Sequence, residues 1–195
     1  MVIIAGLGNP GEKYSHTRHN VGRMAVENFG QSVSFPDFVP SGKYQAHISE
    51  SSVGKEKVML LLPDTFMNKS GASVKPLVTS KKAAERLVVI YDDMDLPLGT
   101  YKIAFARGSG GHNGVESIIK HLKTKDFVRI RIGVSPSTPT GKLRKPKGEK
   151  AVIDFLMGDF KKPEVELLKK EFKTIRAVIE KIITDGRVSA QNQFN

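Results

Sequence analysis

No cysteine occurs among the 195 residues. That excludes a disulfide framework and any thiolate-ligated metal centre, and it fits a reducing compartment. No apolar run approaches the ~18 residues that a membrane-spanning helix needs. Met1-Val2-Ile3-Ile4 leads straight into an apolar stretch, so neither a secretory signal nor an Arg- and Ser-rich transit segment is expected. No internal repeat is evident. Acidic residues are outnumbered: 20 Asp+Glu stand against 31 Lys+Arg, for a net charge of +11 and a pI near 9.8. So basic a chain fits a polyanionic partner, nucleic acid ahead of an anionic membrane surface. Otherwise, 39% hydrophobic and 26% charged residues are ordinary for a globular protein. The length suits a single domain, 1–195, with a substantial core.

The chain is organised around Gly6 to Gly22, GLGNPGEKYSHTRHNVG. Val2 to Ala5 reads as a buried first strand, broken by glycines, Asn9 and Pro10 into a polar loop that precedes an apolar-periodic helix. Gly6, Gly8 and Gly11 spell a dinucleotide-binding fingerprint, but its other parts are missing. No helix opens on Gly11 to meet a pyrophosphate. No carboxylate stands in Gln31 to Phe35, where a ribose ligand would be needed, and Asp37 sits between Pro36 and Pro40. A nicotinamide-dependent enzyme is therefore disfavoured. In an open α/β sheet, sites form at the carboxyl ends of strands, which is where the polar residues 13–20 fall.

Spacing predicts a helix over Asn20 to Gly30 with Asn20 as N-cap, then a loop from Gln31 to Gly42. A hairpin follows, Tyr44 to Ser51 and Lys57 to Leu62. A second loop at 63–71 precedes a helix to about Ser80. Leu87 to Tyr91 reads as a central strand ending in Asp92-Asp93-Met94-Asp95, and Thr100 to Phe105 as another. The glycine-rich Arg107 to Gly114 feeds a helix from Asn113 to Leu122. Val128 to Val134 is a strand with Arg129 and Arg131 outward. Ser135 to Lys150, with five basic residues against Glu149, reads as a mobile basic loop. Ala151 to Phe160 is expected to return to the core, and Pro163 opens a last helix to about Asp185-Gly186. Alternating strands and helices argue a three-layer α/β/α sandwich with a mixed, mainly parallel twisted sheet.

Four loops then need weighing together: one with Asn9, Tyr14 and His19, one with Met67 and Asn68, one with Asp92, and one with Asn113. The set offers an imidazole, a carboxylate and several carboxamides, with no cysteine and no evident serine nucleophile. An imidazole takes a proton from water best when its pKa lies near the working pH. A carboxylate on its other nitrogen fixes the tautomer and stabilises the imidazolium. Carboxamides hold an ester carbonyl or a water without adding charge. Such a set suits direct water attack on an activated acyl compound. Each residue also has a plainer reading: His19 as a surface histidine, Asp92 as a turn residue, Asn68 and Asn113 as helix caps, Met67 as core. His16 and His19 have the spacing of a metal pair, and Asp92, Asp93 and Asp95 that of half a calcium loop. The glycine and distal glutamate that would complete that loop are missing, so no metal is expected.

The chain resembles the bacterial-type peptidyl-tRNA hydrolases. The resemblance rests on GLGNPGEKY at the N-terminus, TRHNVG at 17–22, TFMNKSG at 65–71, DDMDLPLG at 92–99, GSGGHNG at 108–114 and RIRIGV at 129–134, in the family's order. It implies hydrolysis of the ester between a peptide and the tRNA 3′ ribose, with His19 as general base and Asp92 as its orienting partner. It implies that Asn9, Asn68 and Asn113 position substrate and water, and that Tyr14 and Met67 line the cleft. It further implies no cofactor, peptidyl-tRNA as partner, no membrane attachment, a monomer, and a cytoplasmic location or the mitochondrial matrix for a eukaryotic source. Arg131 matches the family's phosphate-gripping arginine, but Ala104 stands where a lysine is common, leaving Lys102 or Arg107 to substitute. Ser109 stands where a histidine is sometimes found, and the 135–150 loop is longer and more basic than expected. The alternative on the same fold is a non-catalytic RNA-binding or splicing factor.

Overall fold

The computed structural model describes residues 1–138 and 140–195; Pro139, within the expected 135–150 loop, lies outside them. The elements in chain order begin with β1 (Val2–Gly6), α1 (Val21–Ser32), β2 (Val39–Ser41), β3 (Ala46–Val53) and β4 (Glu56–Pro63). Next come α2 (Ser70–Val74), α3 (Lys81–Ala84), β5 (Leu87–Pro97), β6 (Tyr101–Phe105) and α4 (Asn113–Leu122). β7 (Val128–Ser135), α5 (Glu149–Leu156) and α6 (Lys162–Phe194) complete the chain.

The strands form one seven-stranded sheet in the order β2-β3-β4-β1-β5-β7-β6. β4, β1, β5 and β7 run parallel in the middle, and β2, β3 and β6 pair antiparallel at the two edges. The apolar run of β1 is buried on both faces, as a central parallel strand must be. α1 and α6 cover one face, closing a core around Ile4, Ile90, Ile130 and Phe172. α2 and α4 cover the other, over Ala5, Val89, Tyr91 and Ile118. The sandwich therefore has three layers.

Two glycines of the first motif serve close packing. A Cβ on Gly22 would stand 2.1 Å from the Ile90 carbonyl oxygen, and one on Gly6 would stand 2.6 Å from that of Gly22. They let α1 lie directly across β1 and β5. Only two short 3-10 turns, Glu12–Tyr14 and Arg18–Asn20, follow Gly11, and α1 opens ten residues later at Val21. The rejected dinucleotide fingerprint accordingly has no helix where it needs one.

Several local expectations are corrected. Asn20 does stand at the N-cap position of α1, but its side chain makes no capping bond; the carboxamide turns back to the first loop instead. The expected 31–42 loop contains the short edge strand β2. The expected helix over 71–80 stops at Val74 and gives way to a 3-10 turn, Lys75–Leu77, with Pro76 inside it. β5 does not end at Tyr91 but runs on through the acidic residues to Pro97. Within 151–160 only Phe160 is buried, and α5 buries no residue fully. α6 is interrupted at Gly186 (φ 83°, ψ 166°), a left-handed value that glycine tolerates, and a second helical segment continues to Phe194. That segment brings Asn195 against the edge strand β6: the Ile103 N–H donates to Asn195 Oδ1 at 2.8 Å, and Asn195 Nδ2 donates to the Ile103 carbonyl at 2.9 Å. No helix is long and apolar enough to cross a membrane among the described residues.

Candidate active site

His19 sits in the 3-10 turn Arg18–Asn20 that delivers the chain into α1. The turn is clamped from two sides. On one side, Asn20 Oδ1 accepts from the Asn9 N–H at 2.8 Å, and Asn20 Nδ2 donates to the Asn9 carbonyl at 2.9 Å. The same carboxamide lies where a Cβ on Gly8 would fall, within 2.9 Å, which is why a glycine is needed there. On the other, Arg18 is buried and donates to the carbonyls of Gly158 and Asp159 and to both carboxylate oxygens of Glu164. Its guanidinium also lies over the rings of Phe155 and Phe160. A buried cation left without partners costs about 3–5 kcal/mol, so these contacts hold the turn firmly to the α5–α6 junction.

Asp92 lies inside β5, opposite Ile132 of β7, and is 3% exposed. His19 Nδ1 is 2.8 Å from Asp92 Oδ1, and His112 Nε2 is 3.0 Å from the same oxygen. The tautomers follow from the network. His112 caps α4, with Nδ1 accepting from the Val115 N–H at 3.3 Å. Its proton is therefore on Nε2 and points at Asp92. His19 donates from Nδ1 to that carboxylate, which leaves its Nε2 lone pair free.

The electrostatics agree with this arrangement. Burial alone would raise the Asp92 carboxyl, but the charges and N–H groups of His19 and His112 prevail and hold it well below the usual carboxylate range. For His19, burial disfavours the imidazolium, yet the Asp92 charge and hydrogen bond outweigh that and raise its pKa. His19, Asp92 and His112 are also the described residues that could hold a metal, their ligand atoms lying within 4.8 Å of one another. Both imidazole nitrogens facing the carboxylate are at ordinary N–H···O distance, so hydrogen bonding explains the cluster without an ion.

The cluster opens on a cavity of about 630 Å³, within the ~300–1,000 Å³ usual for small-molecule sites. Asn113 and the cations Lys102, Arg107 and Arg131 line it, with Ile153 and Met157 of the α5 region forming an apolar wall. Asn9 joins it at second hand: its Nδ2 lies 3.9 Å from Met157 Sδ, and its Oδ1 accepts from the Met67 N–H at 2.9 Å. Met67 is buried behind that contact. Tyr14 is half-buried and Asn68 exposed, and neither lines the cavity. Arg131 is paired with Asp93. Arg129 is not outward as expected. It is 1% exposed, held under the glycine-rich loop by its bonds to the Arg107 and Gly108 carbonyls at the wall of the same cavity.

A family model described as peptidyl-tRNA hydrolase matches residues 3–195. The chain belongs to the peptidyl-tRNA hydrolase family. The family member from Listeria welshimeri is 41% identical over 198 residues, covering all of both chains. That from Syntrophomonas wolfei is 38% identical over 196 residues, again covering all of both. Among solved structures, a peptidyl-tRNA hydrolase complexed with N-propanol aligns with a TM-score of 0.87 at 29% identity, covering 100% of this chain and 94% of that one. The Acinetobacter baumannii peptidyl-tRNA hydrolase aligns at 0.86 and 30% identity over the same shares.

The residues that sequence reading missed are His112, Arg18, Asn20 and Arg129. His112 stands beside an Asn-Gly pair that draws the eye to Asn113 as the cap. The available signal was a histidine at the end of a glycine-rich loop, just before a helix, in a chain whose other site candidates include an aspartate at a strand end.

Proposed function

We propose that this chain hydrolyses the ester joining the carboxyl end of a peptide to the 3′ ribose of tRNA, releasing the peptide and free tRNA. The observation that carries the reading is the direct His19–Asp92 hydrogen bond, with the opposite imidazole nitrogen free beside a cavity that contains no competing nucleophile of the cysteine type. In the proposed reaction, His19 Nε2 takes a proton from a water as its oxygen adds to the ester carbonyl carbon. Asp92 stabilises the imidazolium through Nδ1. The tetrahedral adduct then collapses, breaking the acyl–oxygen bond. The departing ribose oxygen takes the proton back from His19, and the acyl group leaves as a carboxylic acid. No covalent enzyme intermediate is required.

Asn113 and Asn9 are assigned to holding the water and the ester, with Met67 fixing Asn9 from behind. Tyr14 and Asn68, outside the cavity wall, are assigned to parts of the substrate beyond the ester. Lys102, Arg107 and Arg131 stand at the cavity where a tRNA phosphate would be met by charge without sequence readout. Arg131 would exchange Asp93 for that phosphate. We take the working unit to be one monomeric 1–195 domain acting in the cytoplasm, with the 135–150 segment as a basic arm toward tRNA. A non-catalytic RNA-binding role on the same fold has no use for a buried carboxylate oriented by two imidazoles.

The test is release of peptide from an N-acetyl-aminoacyl-tRNA, beside the unblocked aminoacyl-tRNA, by wild type and His19→Ala. Cleavage of the blocked substrate, lost in the variant while tRNA still binds, is the expected result. Near-wild-type cleavage by His19→Ala would refute the mechanism.

A further inference from the structure

Arg129, at the wall of the site cavity, is the largest fully buried side chain among the described residues. Among the described residues it forms no ion pair, and its Nε has no hydrogen-bond partner. Its guanidinium lies 4.7 Å from the Phe127 ring and directs donors to two backbone carbonyls, those of Arg107 and of Gly108, the latter at 2.6 Å. Burying a cation this way is costly unless its contacts do something that apolar packing could not.

What those contacts fix is the start of the glycine-rich loop. Beyond Gly108, little else holds it. Gly110 (φ 63°) and Gly111 (φ 81°) have left-handed backbones with nothing within 4 Å of a Cβ position. Only internal bonds to Ser109 follow, from the His112 N–H to its carbonyl and from the Gly111 N–H to its Oγ. The loop is therefore pinned at Arg107–Gly108 by Arg129, and next at His112, where it delivers Nε2 to Asp92. Only Ser109, Gly110 and Gly111 lie between the two pins.

We propose that Arg129 is a positioning residue that sets where the loop presents His112 to Asp92, and so governs how strongly Asp92 acts on His19. The inference rests on reading His19 and Asp92 as the base and its partner. When His112 withdraws, Asp92 loses one of two N–H donors and directs more of its charge at His19. The imidazolium is then better stabilised, so the His19 titration moves to higher pH.

The experiment uses the full chain as Arg129→Lys, which keeps the charge, as His112→Asn, which keeps a capping group but cannot reach Asp92, and as the double variant. A fourth variant inserts one glycine after Gly110, leaving Arg129 and its carbonyl contacts intact but slackening the tether. Two readouts are taken: kcat and KM against pH on N-acetyl-aminoacyl-tRNA, and the His19 imidazole titration by NMR without substrate. Arg129→Lys is expected to lower kcat at pH values below the raised His19 titration, where more of the imidazole is protonated, with KM within about twofold. The acid limb and the His19 titration should rise in Arg129→Lys, in His112→Asn and in the insertion variant alike. The double variant should be no worse than the poorer single one, since both act through one contact. An unmoved His19 titration in the insertion variant, or a double-variant loss equal to the product of the single losses, overturns the proposal. If Arg129→Lys does not fold, the neutral Arg129→Gln takes its place, and an unmoved His19 titration in it overturns the proposal. If the wild type does not cleave, the hydrolase reading fails, while the NMR titration still decides the role of Arg129.

Discussion

Asp92→Asn is the substitution that separates chemistry from folding in this site. The carboxylate is buried and accepts from both imidazoles. An asparagine of the same shape removes the negative charge that stabilises the imidazolium. It can also turn its amide N–H toward His19 Nδ1. That would move the His19 proton to Nε2, where it faces the cavity and cannot accept from water. A hydrogen bond to a charged group contributes about 1.5–3 kcal/mol, and loss of the imidazolium's counter-charge adds to that. Roughly 2–4 kcal/mol lost at the transition state corresponds to about 30- to 1,000-fold in kcat at 1.36 kcal/mol per decade. The pH profile gives an independent sign. As the proposed base, His19 must be neutral, so activity should rise as pH passes upward through its pKa, which Asp92 holds above the ordinary value. In Asp92→Asn that support is gone, and the acid limb should move to lower pH while the plateau falls. The assay is kcat against pH on N-acetyl-aminoacyl-tRNA, with the far-UV spectrum confirming the fold. A variant that keeps more than a third of the plateau rate, or whose acid limb stays in place, would show that Asp92 does not act through His19.

Two further outcomes are predicted. Glu171 on α6 is buried with no ion pair among the described residues, and burial, opposed only by the nearby Gly99 N–H, pushes its pKa from 4.5 up to about 8. Since the folded value lies above the unfolded one, stability should fall as pH rises from about 4.5 to 8; Glu171→Gln should relieve this, and a gain of only ~2 kcal/mol would raise Tm by roughly 4–8 °C at pH 8, with little change at pH 5. Equal melting of the two proteins at pH 8 would contradict it. Replacing Lys142, Arg144, Lys147 and Lys150 by glutamine should flatten the dependence of log Kd for tRNA on log salt, by up to ~0.9 for each phosphate that is no longer neutralised. An unchanged slope would make the 135–150 segment a passive insertion.

The layers of the fold were legible because apolar runs and apolar stripes report burial directly. β1, α1 and α4 follow the pattern closely. The pattern misleads where a polar group is buried on purpose. β5 looks finished at Tyr91 because three of the next four residues are acidic. Asp92 continues the strand because two imidazoles donate to it, and they lie 73 and 20 residues away in sequence. Arg129 and Arg131 share a face by alternation and looked equally exposed. Both line the cavity, and only the packing of the glycine-rich loop, which has no periodicity to read, buries Arg129 and leaves Arg131 more open. α5 illustrates the reverse case. Its apolar residues suggest core, but Val152, Ile153 and Leu156 face the cavity instead. The chemistry of the loops was more legible than their geometry, since an imidazole, a carboxylate and carboxamides limit what a site can do wherever they meet.

The pairing of Asn195 with Ile103 bears on what the outer edge of the sheet can offer a second chain. β6 closes the sheet on that side, and an open edge is a template on which a second chain can add a strand. One carboxamide offers the Ile103 N–H an acceptor and the Ile103 carbonyl a donor, the same pair that a neighbouring backbone would offer. Gln191 Nε2 approaches that carbonyl as well, at 3.4 Å. The second segment of α6 thus blunts the edge at its middle position without lengthening the sheet. Self-association through β6 would first have to lift that segment away, so the left-handed bend at Gly186 that aims it also guards against aggregation.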